Sequence, residues 1–509
     1  MPTSYPSSLM VAAMASNALP AMIDSLAANL TLMGIDPERA LVHAGNGAFL
    51  RQKLRDKCLQ PANSKRPTLT LLTTGGSMTA GSMNCLAAQG VICDARRIKF
   101  SKTWSVKLSS LLSRALPGCN VVLQSMVRPA GMSTTLLREM HHVEKLQPDI
   151  TIEDFTINDV KGKIVFEGRV NNSNALRQVI GAHELLARSM WKRQTPLIMT
   201  EAFPNFHVSD FHCQPHLEYA HATISAAYAL PVVSFMRAIC NESATAARSR
   251  WPVDAHWRAG CDGPDSPGFR CYQHPGPHTH SIYASLLAWY ILRQGAAALA
   301  AKSTVFAAAH GREGYLLLPT SELPAPTADG PFVLSQNELT ELQGCSTDTL
   351  SSFDFSQSCK GPQRQLNASG VADWSCYEDV PGKLGWTANS TRDRAVRTLS
   401  VPVRTTVYGF VVIGFLRSYE GMGRISLYLN GDQNRSVILD GHWDEDTSQT
   451  QFKAIRLTEL VNDKKALGNG HHNGRRTIHL RMPPVGEELT ANGGAESTGK
   501  FKVVFLSTC

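Results

Sequence analysis

The sequence predicts a three-layer α/β/α domain built on a parallel sheet, followed by an all-β sandwich. Three observations carry this expectation. From residue 68 to about residue 300, short β-prone runs alternate with segments of helical periodicity, the pattern of a parallel sheet with helices on both faces. After Cys345 helical periodicity fades, and short β-prone runs separated by turns such as Asn430-Gly431 take over. Between the two, residues 316–332 contain Leu-Pro-Thr-Ser-Glu-Leu-Pro-Ala-Pro-Thr-Ala-Asp-Gly-Pro, a linker by composition. At 509 residues the chain should hold two to three domains, and a hydrophobic fraction of 43% supplies their cores. The expected division is a helical leader over 1–60, the α/β domain over 61–310, a linker over 311–344 and the sandwich over 345–509.

The elements follow in order. Residues 13–32 and 37–59 read as helices. The run 68–73, Thr-Leu-Thr-Leu-Leu-Thr, is a strand. Trp104, Leu108, Leu111, Leu112 and Ala115 form one apolar face, so 104–116 is a helix, ended by Pro117-Gly118. Strands at 120–123, 150–155, 197–200 and 232–234 then alternate with helices at 134–146, 175–192, 217–230 and 282–299. In the last part strands are expected at 397–403, 407–416, 424–429, 436–439, 452–457, 477–481 and 501–506.

Four segments carry the candidate chemistry. Thr74-Gly75-Gly76-Ser77-Met78-Thr79-Ala80-Gly81 links the first strand to a helix-prone stretch. A serine flanked by glycines at such a turn is placed as a nucleophile must be, beside backbone N–H groups that stabilise an oxyanion. Pro129-Ala130-Gly131-Met132-Ser133-Thr134 is a small-residue turn after the second strand. Thr156-Ile157-Asn158-Asp159 closes the third. His274-Pro275-Gly276-Pro277-His278-Thr279-His280 leads into the last helix. Taken singly, each is also what an ordinary turn or helix cap would hold.

Together, Ser77, Gly131, Asn158 and His274 resemble the four blocks of the SGNH (GDSL-type) hydrolase superfamily, over residues 67–300. The Gly-Gly-Ser opening resembles a divergent branch seen in algae, and Phe415 to Gly423 with Asp440-Gly441-His442-Trp443 resembles the C-terminal region of the same proteins. The resemblance implies a flavodoxin-like parallel sheet and a serine esterase. Ser77 attacks an ester carbonyl, and His274 is base and then acid. The Ser77 and Gly131 N–H groups and the Asn158 amide hold the oxyanion, one such donor being worth about 3–4 kcal/mol of barrier.

One position departs from the family. The orienting aspartate three residues before the histidine is Cys271 here, and a thiol cannot fix the imidazole tautomer as a buried carboxylate does. The alternatives are a Ser-His dyad, an acid relocated to Asp265 in the preceding Gly/Pro-rich loop, or a fold that has lost activity. The expected substrate is an ester, chiefly O-acetyl, on a carbohydrate or glycan. An O-acyltransferase and a non-catalytic glycan-binding protein are the alternatives. Trp374, Trp386, Tyr419 and Trp443 are candidate sugar-stacking residues, with core packing the commoner fate.

No metal and no organic cofactor is implied. The net charge of +8 is modest for this length, its basic residues are scattered, and no nucleic-acid motif is present. No run of about 18 apolar residues exists, so no membrane span is expected. The N-terminal 30 residues lack the pattern of a signal peptide. Twelve cysteines without zinc spacing, and glycosylation sequons at Asn29, Asn171, Asn241, Asn367, Asn389 and Asn434, point instead to disulfides within domains and to the secretory route. The oligomeric state is left open.

Overall fold

The structure is a computed structural model. It describes residues 8–59, 66–76, 78–81, 103–127, 131–156, 159, 173–201, 219–239, 275–307, 351–355, 369, 373–377, 384–390, 395–405, 409–418, 421–442, 449–461, 474–484 and 499–508.

The first domain is built on β1 (Leu41–His43), β2 (Thr68–Gly75), β3 (Asn120–Val127), β4 (Ile150–Asp154), β5 (Leu197–Glu201) and β6 (Val232–Ser234). They form one sheet in the order β1-β6-β5-β4-β2-β3. β2 to β6 are parallel, and β1 runs antiparallel along β6. Every residue of β4 and β5 is buried, as both faces of a parallel sheet require. Counted from β2, the parallel strands run 2-1-3-4-5, so the winding reverses between β2 and β4. Ligands of such sheets bind at that switch point, beyond the carboxyl ends of the strands.

Alternate residues of each strand face two helical layers. Leu69, Leu71, Ile150, Ile152 and Ile198 pack under the Ser8–Leu32, Trp104–Ala115 and Pro277–Ala307 helices, through Leu19, Leu108 and Leu287. Leu72, Leu197 and Met199 pack under the Leu136–Leu146, Ser173–Lys192 and Tyr219–Tyr228 helices, through Met140, Leu186 and Tyr228. The N-terminal helix thus shares the core of the α/β domain. A disulfide joins Cys58 to Cys119, beside the start of β3. Cys376 is disulfide-bonded as well.

The helix expected over 37–59 is broken. It holds β1, a shorter helix Ala48–Leu54 and a π-turn Arg55–Leu59. Gly45 and Gly47 adopt φ of +63° and +62°, a left-handed conformation that a helix cannot contain. The last helix starts earlier than expected, at Pro277, where the missing N–H of proline leaves no bond unmade. Among the described residues, no helix is long and apolar enough to cross a membrane.

The second domain contains β7 (Ser351–Asp354), β8 (Ser375–Tyr377), β9 (Gly385–Asn389), β10 (Arg397–Thr405), β11 (Phe410–Arg417), β12 (Arg424–Leu429), β13 (Val437–Asp440), β14 (Gln449–Arg456), β15 (Gly474–Met482) and β16 (Lys500–Thr508). Two antiparallel sheets form, β10-β15-β12-β13 and β14-β11-β16-β9-β8, with β7 also paired to β16. Leu399, Val401, Ile425 and Leu480 from one sheet meet Trp386, Ile413, Phe415 and Phe501 from the other in a single core. The seven expected strands are present. β7, β8 and β9 were not expected, being short and without a clear alternation.

The domains meet along edge strand β14. Thr450 forms an isolated parallel bridge with Gly131. The Phe452 N–H donates to Thr134 Oγ1 at 3.4 Å. Phe410 enters the core that holds Met140 and Leu186.

Candidate active site

β2 ends at Gly75, and the Gly76 N–H donates to the Asp154 carbonyl at the end of β4, at 3.1 Å. The chain is held tightly here. A Cβ on Gly75 would lie 2.1 Å from Thr79 Oγ1 and 2.7 Å from the Asp154 carbonyl oxygen. Thr79 Oγ1 in turn donates to Asp154 Oδ2 at 2.7 Å. The residues flanking position 77 are therefore fastened to β4 at the switch point.

The second and third segments are joined by Asp159. Its Oδ1 accepts the Ser133 N–H at 2.8 Å, and its Oδ2 stands 3.0 Å from His183 Nε2. Ser133 lies two residues after Gly131, and Asp159 directly follows Asn158. Gly131 is buried and bridged to Thr450 of the second domain. The fourth segment is seated at its helical end. The Trp104 N–H donates to His280 Nδ1 at 3.1 Å, and Tyr283 packs edge-on against Trp104. Burial brings the His280 imidazole down to about 3, helped by Lys107, so it stays neutral and accepts.

Of the residues expected to act, Gly131 is the one described. Ser77, Asn158, His274, Asp265, Cys271, Tyr419 and Trp443 lie outside the described residues. Trp374 and Trp386 are buried in the sandwich core, 2% and 0% exposed, so neither stacks on a sugar at the surface. A sandwich 10 Å thick buries large rings on its inner faces.

The ends of β4 and β5 hold acidic residues that the sequence reading left without a role. Asp154 faces Thr79, and burial raises its carboxyl to about 6 against the hydrogen bond from that hydroxyl. Glu153 faces the opposite layer, with His183 and His221. Burial raises Glu153 to about 8, opposed by the neighbouring His221. Glu153 Oε1 accepts the Phe155 N–H at 2.9 Å. Glu201, at the end of β5, stands 3.5 Å from His221 Nδ1. Among the described residues, Glu153, His183 and His221 are the group with ligand atoms close enough to share a metal ion. A sequence signal existed: Ile-Thr-Ile-Glu-Asp and Leu-Ile-Met-Thr-Glu are buried strands that each end in acid. Nothing local linked them to single histidines on two helices.

An apolar hollow lined by Phe49, Trp191, Tyr228 and Pro231 lies at the amino ends of β5 and β6. That is the far end of the sheet from Gly75 and Asp154, so it is not the switch-point site.

A 2-1-3-4-5 parallel sheet with a glycine turn at its switch point defines a flavodoxin-like α/β domain. Comparison with solved structures extends the likeness to the second domain. A two-domain esterase (CEX) active on acetylated mannans matches over 93% of this chain and 98% of its own, at 15% identity and a TM-score of 0.50. The same esterase co-crystallized with mannopentaose matches over 93% and 97%, at the same identity and score. Axe2, an acetylxylan esterase from Geobacillus stearothermophilus, covers 44% of this chain and 93% of its own, at 15% identity and a TM-score of 0.29. At such identity the shared property is the fold, an α/β domain followed by a β domain. No protein-family model matches the chain, and no curated protein matches it in sequence.

Proposed function

We propose that this protein is a carbohydrate esterase that removes acyl groups, chiefly acetyl, from a glycan through a Ser77 acyl-enzyme. The observation that carries the reading is the convergence at the switch point. Hydrogen bonds tie Gly76, beside Ser77, to Asp154 at the end of β4, and Ser133, two residues after Gly131, to Asp159, which follows Asn158. The match to the acetylmannan esterase along both domains supports the substrate class.

In this reading Ser77 Oγ attacks the ester carbonyl while His274 takes its proton. The tetrahedral oxyanion is held by the Ser77 and Gly131 N–H groups and the Asn158 amide. The alcohol leaves with the proton from His274, and water, activated by the same imidazole, releases acetate. Asp265 orients His274 in place of the residue at Cys271. The second domain holds the glycan, with Tyr419 and Trp443 as stacking residues. The disulfides at Cys58, Cys119 and Cys376 support an oxidising, secretory compartment.

The test is fluorophosphonate labelling of the purified chain, wild type beside Ser77→Ala, followed by acetate release from acetylated mannan and xylan. The expected result is labelling and acetate release that both vanish in Ser77→Ala. Folded wild type that takes no label and releases no acetate would overturn the esterase and leave glycan binding as its replacement. Acyl transfer to a glycan acceptor without net acetate release would move the assignment to an acyltransferase.

A further inference from the structure

Five ionisable side chains from separate parts of the chain meet at the carboxyl end of the sheet. They are Glu153 on β4, Glu201 on β5, Asp159 after β4, His183 on the Ser173–Lys192 helix and His221 on the Tyr219–Tyr228 helix. All are at most 2% exposed. We infer that Glu153, His183 and His221 form a binding site for a divalent first-row transition metal, zinc by its donor set.

Four observations carry this. The first is spacing. Glu153 Oε2 lies 3.5 Å from His183 Nδ1 and 3.5 Å from His221 Nε2. The three atoms all fall within 4.8 Å of one another. Ligand atoms held ~2.0–2.1 Å from a tetrahedral zinc stand about 3.3–3.4 Å apart. The observed separations are those of co-ligands and exceed the usual range of a hydrogen bond.

The second is satisfaction. Glu153 Oε2, His183 Nδ1 and His221 Nε2 have no hydrogen-bond partner, although all three are fully buried. Buried polar atoms are nearly always paired, and leaving one unmade costs about 1–3 kcal/mol. Three orphans pointing at one another call for a common partner.

The third is what stands behind the imidazoles. His183 Nε2 is 3.0 Å from Asp159 Oδ2, and His221 Nδ1 is 3.5 Å from Glu201 Oε1. Metal-bound histidines characteristically donate their second ring nitrogen to a carboxylate, which fixes the tautomer and raises basicity. His183 has that arrangement, whereas His221 Nδ1 and Glu201 face each other without a hydrogen bond. The two rings stand perpendicular, with centroids 4.6 Å apart.

The fourth is charge. Three carboxylates face two imidazoles, and among the described residues no Lys or Arg pairs with them. A divalent cation bound here takes the place of the proton that burial otherwise keeps on Glu153. Two nitrogens and one carboxylate oxygen suit zinc and its first-row neighbours rather than magnesium or calcium.

The enclosure gives the ion a structural part. It holds His183, whose Nε2–H meets Asp159, whose Oδ1 in turn receives the Ser133 N–H. The segments bearing Gly131 and Asn158 are thereby braced from behind. This bracing of an oxyanion hole rests on the esterase reading, whereas the metal site does not.

The test is elemental analysis of the purified full chain, then stripping with a chelator and refilling with Zn²⁺ or Co²⁺. Wild type is expected to retain about one zinc per chain. Stripping should lower the melting temperature, zinc should restore it, and cobalt should give the visible bands of a four-coordinate site. Glu153→Gln and His221→Gln, checked for fold by circular dichroism, should lose the bands. Asp159→Asn should weaken zinc about 10- to 100-fold. Folded wild type that binds neither ion and ignores chelator would overturn the site and identify the cluster as a proton-sharing network. Undiminished cobalt bands in folded Glu153→Gln and His221→Gln would overturn it too. Zinc held by an inactive protein would sink only the esterase, and an active protein without zinc only this site.

Discussion

His280 shows how one buried side chain sets a pH limit. Its ring accepts a hydrogen bond from the Trp104 backbone and is fully enclosed, which keeps the imidazole neutral down to about pH 3. In the unfolded chain the same group takes a proton near pH 6.5. Below that value the unfolded state binds a proton that the folded state refuses, so stability is present above pH 6.5 and is lost as pH falls toward 3. The slope from this group is at most about 1.4 kcal/mol per pH unit. His280→Gln keeps an acceptor for Trp104 and does not titrate. Urea unfolding midpoints from pH 7 to 4 are expected to fall less steeply in this variant than in wild type. Equal slopes would mean that His280 is not the group responsible.

At the scale of elements, the contact between β2 and β4 positions the glycine turn that precedes Ser77. The two strands approach so closely at Gly75 that a methyl group has no space beside Thr79 Oγ1 and the Asp154 carbonyl. Gly75→Ala must push the strand ends apart, at a cost of about 1–3 kcal/mol. A shift near 1 Å in catalytic positioning costs on the order of 10²-fold in rate. Gly75→Ala is thus expected to lower acetate release about a hundredfold while unfolding remains cooperative, read by kinetics beside urea denaturation. Wild-type rates would show that the turn relaxes without moving Ser77. The same reasoning gives β14 a second duty. As an edge strand it would expose unpaired backbone groups. Here its Thr450 and Phe452 engage Gly131 and Thr134 instead, so the sandwich edge is covered and the loop at Gly131 is held.

At the scale of the molecule, distant parts of the chain are tied into one body. The Cys58–Cys119 bond spans 61 residues and fastens the N-terminal region to the sheet. Closing a loop of that length stabilises the fold by up to about 4 kcal/mol through the entropy of the unfolded chain. Cys58→Ser/Cys119→Ser is expected to lose about 2–4 kcal/mol in chemical denaturation, and reductant should then have less effect on the variant than on wild type. A variant as stable as the oxidised wild type would show that packing of Leu19, Leu54 and Leu59 under the last helix suffices.

The sequence by itself determined the order and type of most elements, the change from an α/β to an all-β domain, and the glycine turn at the end of β2. Those properties are local: periodicity and turn chemistry are written within windows of a few residues. It missed β1, β7, β8 and β9, which are too short to show a period, and it read 37–59 as continuous helix because two glycines outweigh helical propensity only through the conformation they adopt. The tertiary structure alone decided the 2-1-3-4-5 strand order, the bond from Thr79 to Asp154 across 75 residues and the contact of Phe452 with Thr134 across 318. It alone gathered Glu153, His183 and His221 from one strand and two helices. Such meetings depend on which faces pack together, and no local pattern carries that information.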